Sequence, residues 1–371
     1  MKPPAFTIKA KGRYLSLADI EKRPYWEYIV DPVMRSLPLP SEPRYERSTQ
    51  LALIFLLTEN IDHFPVDPYA FFHKYHIKLK KYSTIAEKTN LENVAEVIRE
   101  TGSVDGFTVC RQKSVSVSYN DVTPFPRRIL FTLLHEIGHI VLGHLFDFQN
   151  VQYYRGGTDG VDVLEKEADN FARNVIVPAF MVSEMHITSK SACLEMFGCT
   201  GACWDARIGL LNADLANTNP GLIPLLRQQL SPFMYARTCL RCFAGFVGHK
   251  GLQYCPICGG KRFKWKKNGF TYPEAYPLND EGYTSKCPRC MNTEPDSDGF
   301  CTLCHTPMIN RCINPTCNSI AISGNTRFCT RCGSMTTFMS TGLLSPWYIP
   351  EDYMNDDDEV RRDTYYDDEP I

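Results

Sequence analysis

The sequence predicts an α+β protein in two parts, a mixed helical and stranded domain over residues 44–231 followed by three small cysteine-rich modules. Three observations carry that division. The chain has 371 residues, more than one compact core usually uses. The helix and strand patterns lie before Ser231-Pro232. The sixteen cysteines are unevenly spread: only Cys110 precedes residue 190, three fall between 193 and 203, and twelve lie between 239 and 332.

Composition narrows the class. A net charge of −2 and 43 % hydrophobic residues describe an ordinary globular protein, neither polyionic nor disordered. Met1–Tyr14 is polar and lacks the apolar centre of an export signal. The apolar runs Leu51–Leu57 and Ile129–Phe146 are too short for a bilayer or carry ionisable groups, so no membrane association is expected. The expected compartment is the cytoplasm, where closely spaced cysteines read as metal ligands rather than disulfides.

The elements follow in order. Residues 1–43 hold seven of the 25 prolines and read as an irregular arm. Arg44–Ile61 suits an amphipathic helix, Pro65 and Pro68 start a short one through Tyr75, and Ile77–Tyr82 reads as a strand. Asn90 is expected to cap a helix through Glu100 that Gly102 ends. Phe107–Arg111 and Val115–Tyr119 form a hairpin pattern, and the Ser/Val alternation of the second predicts an edge strand along which an extended peptide could lie. After Thr123-Pro124, Ile129–Leu145 is apolar nearly all round, the mark of a buried helix. Val163–Val177 is a further helix stopped by Pro178, and Cys199–Leu211 reads as a small helix-turn-helix-like unit. Residues 351–371 carry ten acidic side chains against Arg361 and Arg362, a tail expected to be disordered.

The buried helix carries His135-Glu-Ile-Gly-His139. Residues four apart share a helical face, so both imidazoles can meet one cation, and Glu136 beside them can take a proton from water that the metal acidifies. A third ligand is required. His144, five residues beyond His139, is rotated off that face and reads as a residue of the helix C-terminus. In Glu165-Lys-Glu-Ala-Asp169, helical spacing does not separate Glu165 from Glu167. Asp169, one turn beyond Glu165, could hydrogen-bond a liganding histidine, which favours Glu165. Lys166 and Glu167 then read as a solvated face.

Arg127–His144 as a whole resembles the zinc helix of the ImmA/IrrE family of metallopeptidases. Pro65-Val-Asp-Pro-Tyr-Ala-Phe-Phe upstream, Glu165–Pro178 downstream and Phe197-Gly-Cys-Thr…Arg207-Ile-Gly-Leu-Leu extend the resemblance over roughly residues 45–230. It implies a small thermolysin-like zincin (HExxH) core, with His135, His139 and Glu165 as zinc ligands and Glu136 as the catalytic base. It also implies a protein substrate, since members are linked to cleavage of repressor-type transcription factors. Cys199 and Cys203 depart from the family pattern, which has small apolar residues there; with Cys193 they read as core packing.

The second part offers three sets of four thiols: Cys239, Cys242, Cys255 and Cys258 within 236–272; Cys287, Cys290, Cys301 and Cys304 within 284–308; Cys312, Cys317, Cys329 and Cys332 within 309–337. Each pattern is that of a closed, tetrahedral, structural zinc ribbon, neighbour pairing being preferred because short loops close at least entropic cost. The expected complement is one catalytic and three structural zinc ions. The first ribbon is basic, with Phe263 and Trp265 interleaved, so nucleic acid is a possible partner there; the other two read as protein-binding modules. The expected function is a zinc endopeptidase whose ribbons recruit a protein substrate or partner. The alternative is a non-catalytic zinc-ribbon adaptor or DNA-associated regulator that uses the zincin fold as a scaffold.

Overall fold

A computed structural model describes residues 29, 36–111, 114–148, 161–266, 269–273 and 276–348, and the backbone of 7–10 and 13–16. The acidic tail expected to be disordered lies outside the described residues. The protein is mixed α+β and divides into two compact units, Met1–Leu230 and Ser231–Ile371. No helix among the described residues is long and apolar enough to cross a membrane.

In the first unit, β1 (Thr7–Ala10) and β2 (Arg13–Ser16) pair antiparallel, so the proline-rich arm is not irregular throughout. Helix α1 (Tyr45–Thr58) buries every residue from Leu51 to Leu57. Helix α2 (Pro68–Lys74) has Asp67 as its cap, accepting from the Tyr69 amide, and Pro68 in its first turn. Next come β3 (Lys78–Lys81), α3 (Tyr82–Thr89) and α4 (Val94–Thr101). Asn90 does not cap α4. It stands in the left-handed conformation at the C-terminus of α3, and Asn93 caps α4 instead. Asparagine serves either end, because its short amide satisfies helix-start donors and also tolerates positive φ.

Strands β4 (Gly106–Arg111) and β5 (Ser114–Tyr119) form the expected antiparallel hairpin, but β3 joins β5 in parallel, giving the order β3-β5-β4. Val115–Tyr119 is therefore central, not an edge. Its serines are a poor guide: Ser118 is buried along with Val115, Val117 and Tyr119, so the alternation does not mark a solvent face. The edge strands are β3 and β4.

Helix α5 (Pro126–Val141) is buried from Thr132 onward, and a left-handed Gly143 separates it from α6 (His144–Asp147). Helix α7 (Val161–Ile176) crosses α5 closely. Gly138 makes this possible, since a Cβ there would stand 3.0 Å from the Phe171 ring and 3.3 Å from the Ala168 carbonyl oxygen. Helices α8 (Ala179–Glu184), α9 (Lys190–Phe197), α10 (Gly201–Ala216) and α11 (Ile223–Met234) complete the series. Residues 201–211 lie in one continuous helix, so the helix-turn-helix expected over Cys199–Leu211 is absent. The turn sits earlier, at Gly198. Arg207, fully buried in α10, reaches the Arg173 carbonyl, Asn174 and Asp214, tying α10 to α7.

In the second unit β6 (Ala236–Cys239), β7 (Gly245–Val247) and β8 (Phe263–Trp265) form a sheet in the order β7-β6-β8. The cysteine modules are not beads on a string. The Pro256 carbonyl of the first accepts from the amides of Arg327 and Phe328 in the third, and the Thr330 carbonyl accepts from those of Gln253 and Tyr254. Asn310, starting the third, donates to Gly282 ahead of the second. Helix α12 (Thr337–Ser340) closes the unit on the fully buried Phe338.

Candidate metal centres

Burial of α5 brings two histidines and a glutamate into water-poor surroundings that an unpartnered set would not tolerate. His135 and His139 are each 1 % exposed. Their Nε2 atoms stand 3.0 Å apart, and the Glu165 carboxylate lies 3.2 Å from the first and 3.3 Å from the second. Glu165 reaches them because Gly138 and Ala168 let α7 approach α5.

The outer hydrogen bonds determine where the protons are. His135 Nδ1 donates to Asp169 Oδ1 at 2.8 Å. His139 Nδ1 faces His144 Nδ1 at 3.0 Å, and His144 Nε2 meets Glu167 Oε2 at 3.0 Å. Burial drives the His144 pKa down to about 3 in spite of Glu167, so its imidazole is neutral. Burial alone would raise the Glu167 carboxyl, but hydrogen bonds from His144 and Arg44 outweigh it and bring it to about 2. An ionised Glu167 must accept from His144 Nε2–H. His144 Nδ1 then accepts from His139 Nδ1–H, and in neutral imidazoles the lone pairs of both His135 and His139 Nε2 are left facing Glu165. Three acceptors that converge without a proton between them fit a cation. Zinc bonds of about 2.0–2.1 Å would set tetrahedral donors about 3.3 Å apart, near the separations found here.

Two expectations are corrected. Glu167 is no solvated residue: it is fully buried and accepts from the Arg44 backbone amide, Nε and Nη2, each at 2.8 Å. His144 does not serve an exposed helix end but links His139 to Glu167. The Arg44 partner lies 123 residues from Glu167, beyond the reach of any helical spacing argument.

Glu136 is 3 % exposed, and its Oε2 accepts from Thr108 Oγ1 of β4 at 2.6 Å. Sequence reasoning does not find Thr108, because nothing in the alternation of that strand sets it apart. A cavity of about 800 Å³ opens beside Asp169, between the start of α5, α7 and the first turn of α10.

The twelve ribbon cysteines fall into the three expected groups, each with its Sγ atoms within 4.8 Å of one another. The Sγ–Sγ contacts are 3.6 Å for Cys239–Cys258 and Cys242–Cys255, 3.5 Å for Cys287–Cys304 and Cys290–Cys301, 3.4 Å for Cys312–Cys332 and 3.7 Å for Cys317–Cys329. A disulfide needs about 2.05 Å, whereas zinc–sulfur bonds of about 2.3 Å set tetrahedral sulfurs about 3.8 Å apart. These groups are built to hold a metal ion. Every knuckle turns the same way: Phe243, Gly259, Met291, His305, Asn318 and Gly333, each following the second cysteine of a pair, all have positive φ. Amides inside the knuckles point at sulfur too: Arg241, Ile257, Arg289 and Asn314 each donate at 3.4 Å to the Sγ of the cysteine two residues before, and Gly260, just past its turn, donates to Cys258 Sγ.

The aromatic side chains of the first ribbon are half-buried. Phe263 packs on Phe246, and Trp265 packs on Phe233 and donates to its carbonyl oxygen. Lys250, Lys261, Arg262 and Lys264 remain exposed. Compared with known family models and with curated proteins, the chain matches none.

Proposed function

We propose that the chain is a zinc-dependent endopeptidase of the ImmA/IrrE type, which cleaves a regulatory protein such as a repressor-type transcription factor and recruits it through the ribbon unit. The observation that carries this reading is the convergence of two imidazole lone pairs and one carboxylate next to a buried, hydroxyl-oriented glutamate. His135, His139 and Glu165 would hold the zinc. Bound there, it would supply Lewis-acid polarisation of a scissile carbonyl and lower the pKa of water to near neutrality. Glu136 accepts a proton from the attacking water and returns it to the departing amine. The Thr108 hydroxyl holds one carboxylate oxygen of Glu136 and leaves the other for that transfer. Asp169 and the His144–Glu167–Arg44 chain keep both ligand imidazoles in the tautomer that presents Nε2. Because β4 is an edge strand and carries Thr108, an extended substrate backbone could pair along it beside Glu136.

A closed four-thiolate site has no open position for chemistry, so the ribbons serve folding and binding. Zinc-loaded wild type and Glu136→Gln are to be incubated with repressor-type transcription factors. Cleavage by wild type alone, with the intact target retained by Glu136→Gln, is the expected result. If Glu136→Gln supports the full cellular function, the adaptor reading stands in place of the peptidase.

A further inference from the structure

The three cysteines between α9 and the start of α10 form a cluster that neither the ribbons nor the candidate peptidase chemistry uses. Cys193 lies in α9, Cys199 follows the left-handed Gly198, and Cys203 is in the first turn of α10. All three are free and buried. Cys199 is their centre: Cys193 Sγ stands 3.8 Å from its sulfur, and the Cys203 thiol also hydrogen-bonds it. Thr200 and Cys203, one and four residues after Cys199, line the 800 Å³ cavity together with Arg127.

The electrostatics distinguish the three thiols. Hydrogen bonds from Cys193 and then Cys203 pull the Cys199 thiol down against its burial, and the Arg127 charge acts in the same direction. The same hydrogen bond, with burial, pushes Cys193 up. Three thiols in mutual reach, with Cys203 lining the cavity, put a nucleophile and a resolving partner in one place.

We propose that Cys199 is an oxidisable nucleophile resolved by Cys193, so that this cluster reduces hydrogen peroxide and closes a Cys193–Cys199 disulfide. The Cys199 thiolate attacks one peroxide oxygen, the O–O bond breaks, and the departing hydroxide takes a proton from solvent. Cys193 sulfur then attacks the Cys199 sulfenic acid, the S–O bond breaks, and the Cys193 proton leaves with that oxygen as water. Two thiols are oxidised and one peroxide becomes two waters. The sulfurs must close from 3.8 Å to about 2.05 Å, a shift within reach of side-chain rotation and a small adjustment of the Gly198 turn.

The test treats the zinc-loaded full chain with a few equivalents of hydrogen peroxide, alkylates the remaining thiols, then reduces and alkylates again with a heavy reagent before peptide mapping. Cys193 and Cys199 should enter the heavy pool together, severalfold ahead of Cys110 and the ribbon cysteines, and a parallel sample mapped without reduction should show a cross-linked peptide lacking two hydrogens. In Cys193→Ser, dimedone should trap a sulfenic acid on Cys199. The proposal is overturned if Cys199 stays reduced while Cys110 or the ribbons oxidise, or if Cys193→Ser yields no adduct. The wild-type map decides the matter even if the variant does not fold.

Discussion

The histidine–glutamate centre and the cysteine centres are built on opposite plans. Each ribbon draws its four donors from two knuckles a few residues long, and the same positive-φ turn follows every second cysteine. The other centre draws three donors from two long helices, and its orienting groups from farther away: Arg44 before α1 and Thr108 on β4. A closed set assembled locally suits folding. An incomplete set held rigid by distant parts of the core suits chemistry, because it leaves a position for substrate while the surrounding domain determines its geometry.

The largest effect should come from the local plan. Replacing Cys239 and Cys255 by serine removes two of four thiolates, and binding energy in such sites is folding energy, of order 10 kcal/mol. Since the ribbons dock on one another, the whole Ser231–Ile371 unit should lose its structure by hydrogen exchange. Protection confined to the second and third ribbons would mean that they fold independently. Next in size, Glu136→Gln should lower peptidase turnover by roughly 10²–10⁴-fold with no change in metal content, read from cleavage rates beside elemental analysis.

Glu167 tests the distant plan. Glu167→Ala leaves Arg44 and His144 without their shared buried acceptor and should destabilise the first unit by about 3 kcal/mol, measured by denaturant unfolding. Glu167→Gln, which keeps an acceptor oxygen, should cost less. A near-neutral Glu167→Ala would mean that the Arg44–Glu167–His144 chain orients nothing. The smallest effect is expected at Thr108. Thr108→Val removes only the hydroxyl and should reduce turnover about tenfold, in kcat rather than KM.

The same contrast explains which features are legible in the amino-acid sequence. The cysteine groups are legible because their geometry is encoded in spacing alone. The pair His135 and His139 is legible because helix periodicity puts residues four apart on one face. Periodicity reports faces, however, not partners. It leaves Glu165 and Glu167 symmetrical about the α7 stripe, and only the position of Asp169 favours Glu165. It makes Glu167 look solvated because its cation lies 123 residues away, and it makes β5 look like an edge because Ser118 is buried as readily as its valines. Thr108 is invisible for the same reason: what matters about it is the glutamate across from it. The aromatic residues of the first ribbon also have partners that spacing does not report: Phe263 packs on Phe246 and Trp265 on Phe233.

The most direct test of the central claim, that one chain carries three closed centres and one open one, is a metal count. Zinc per chain is to be measured by elemental analysis for wild type, Glu165→Ala, Glu167→Gln and Glu136→Gln, all prepared with ample zinc. The four donor groups predict about four zinc ions in wild type, Glu167→Gln and Glu136→Gln, and about three in Glu165→Ala. Three ions in wild type with none lost in Glu165→Ala would contradict the account, since the ribbons alone would then hold all the metal.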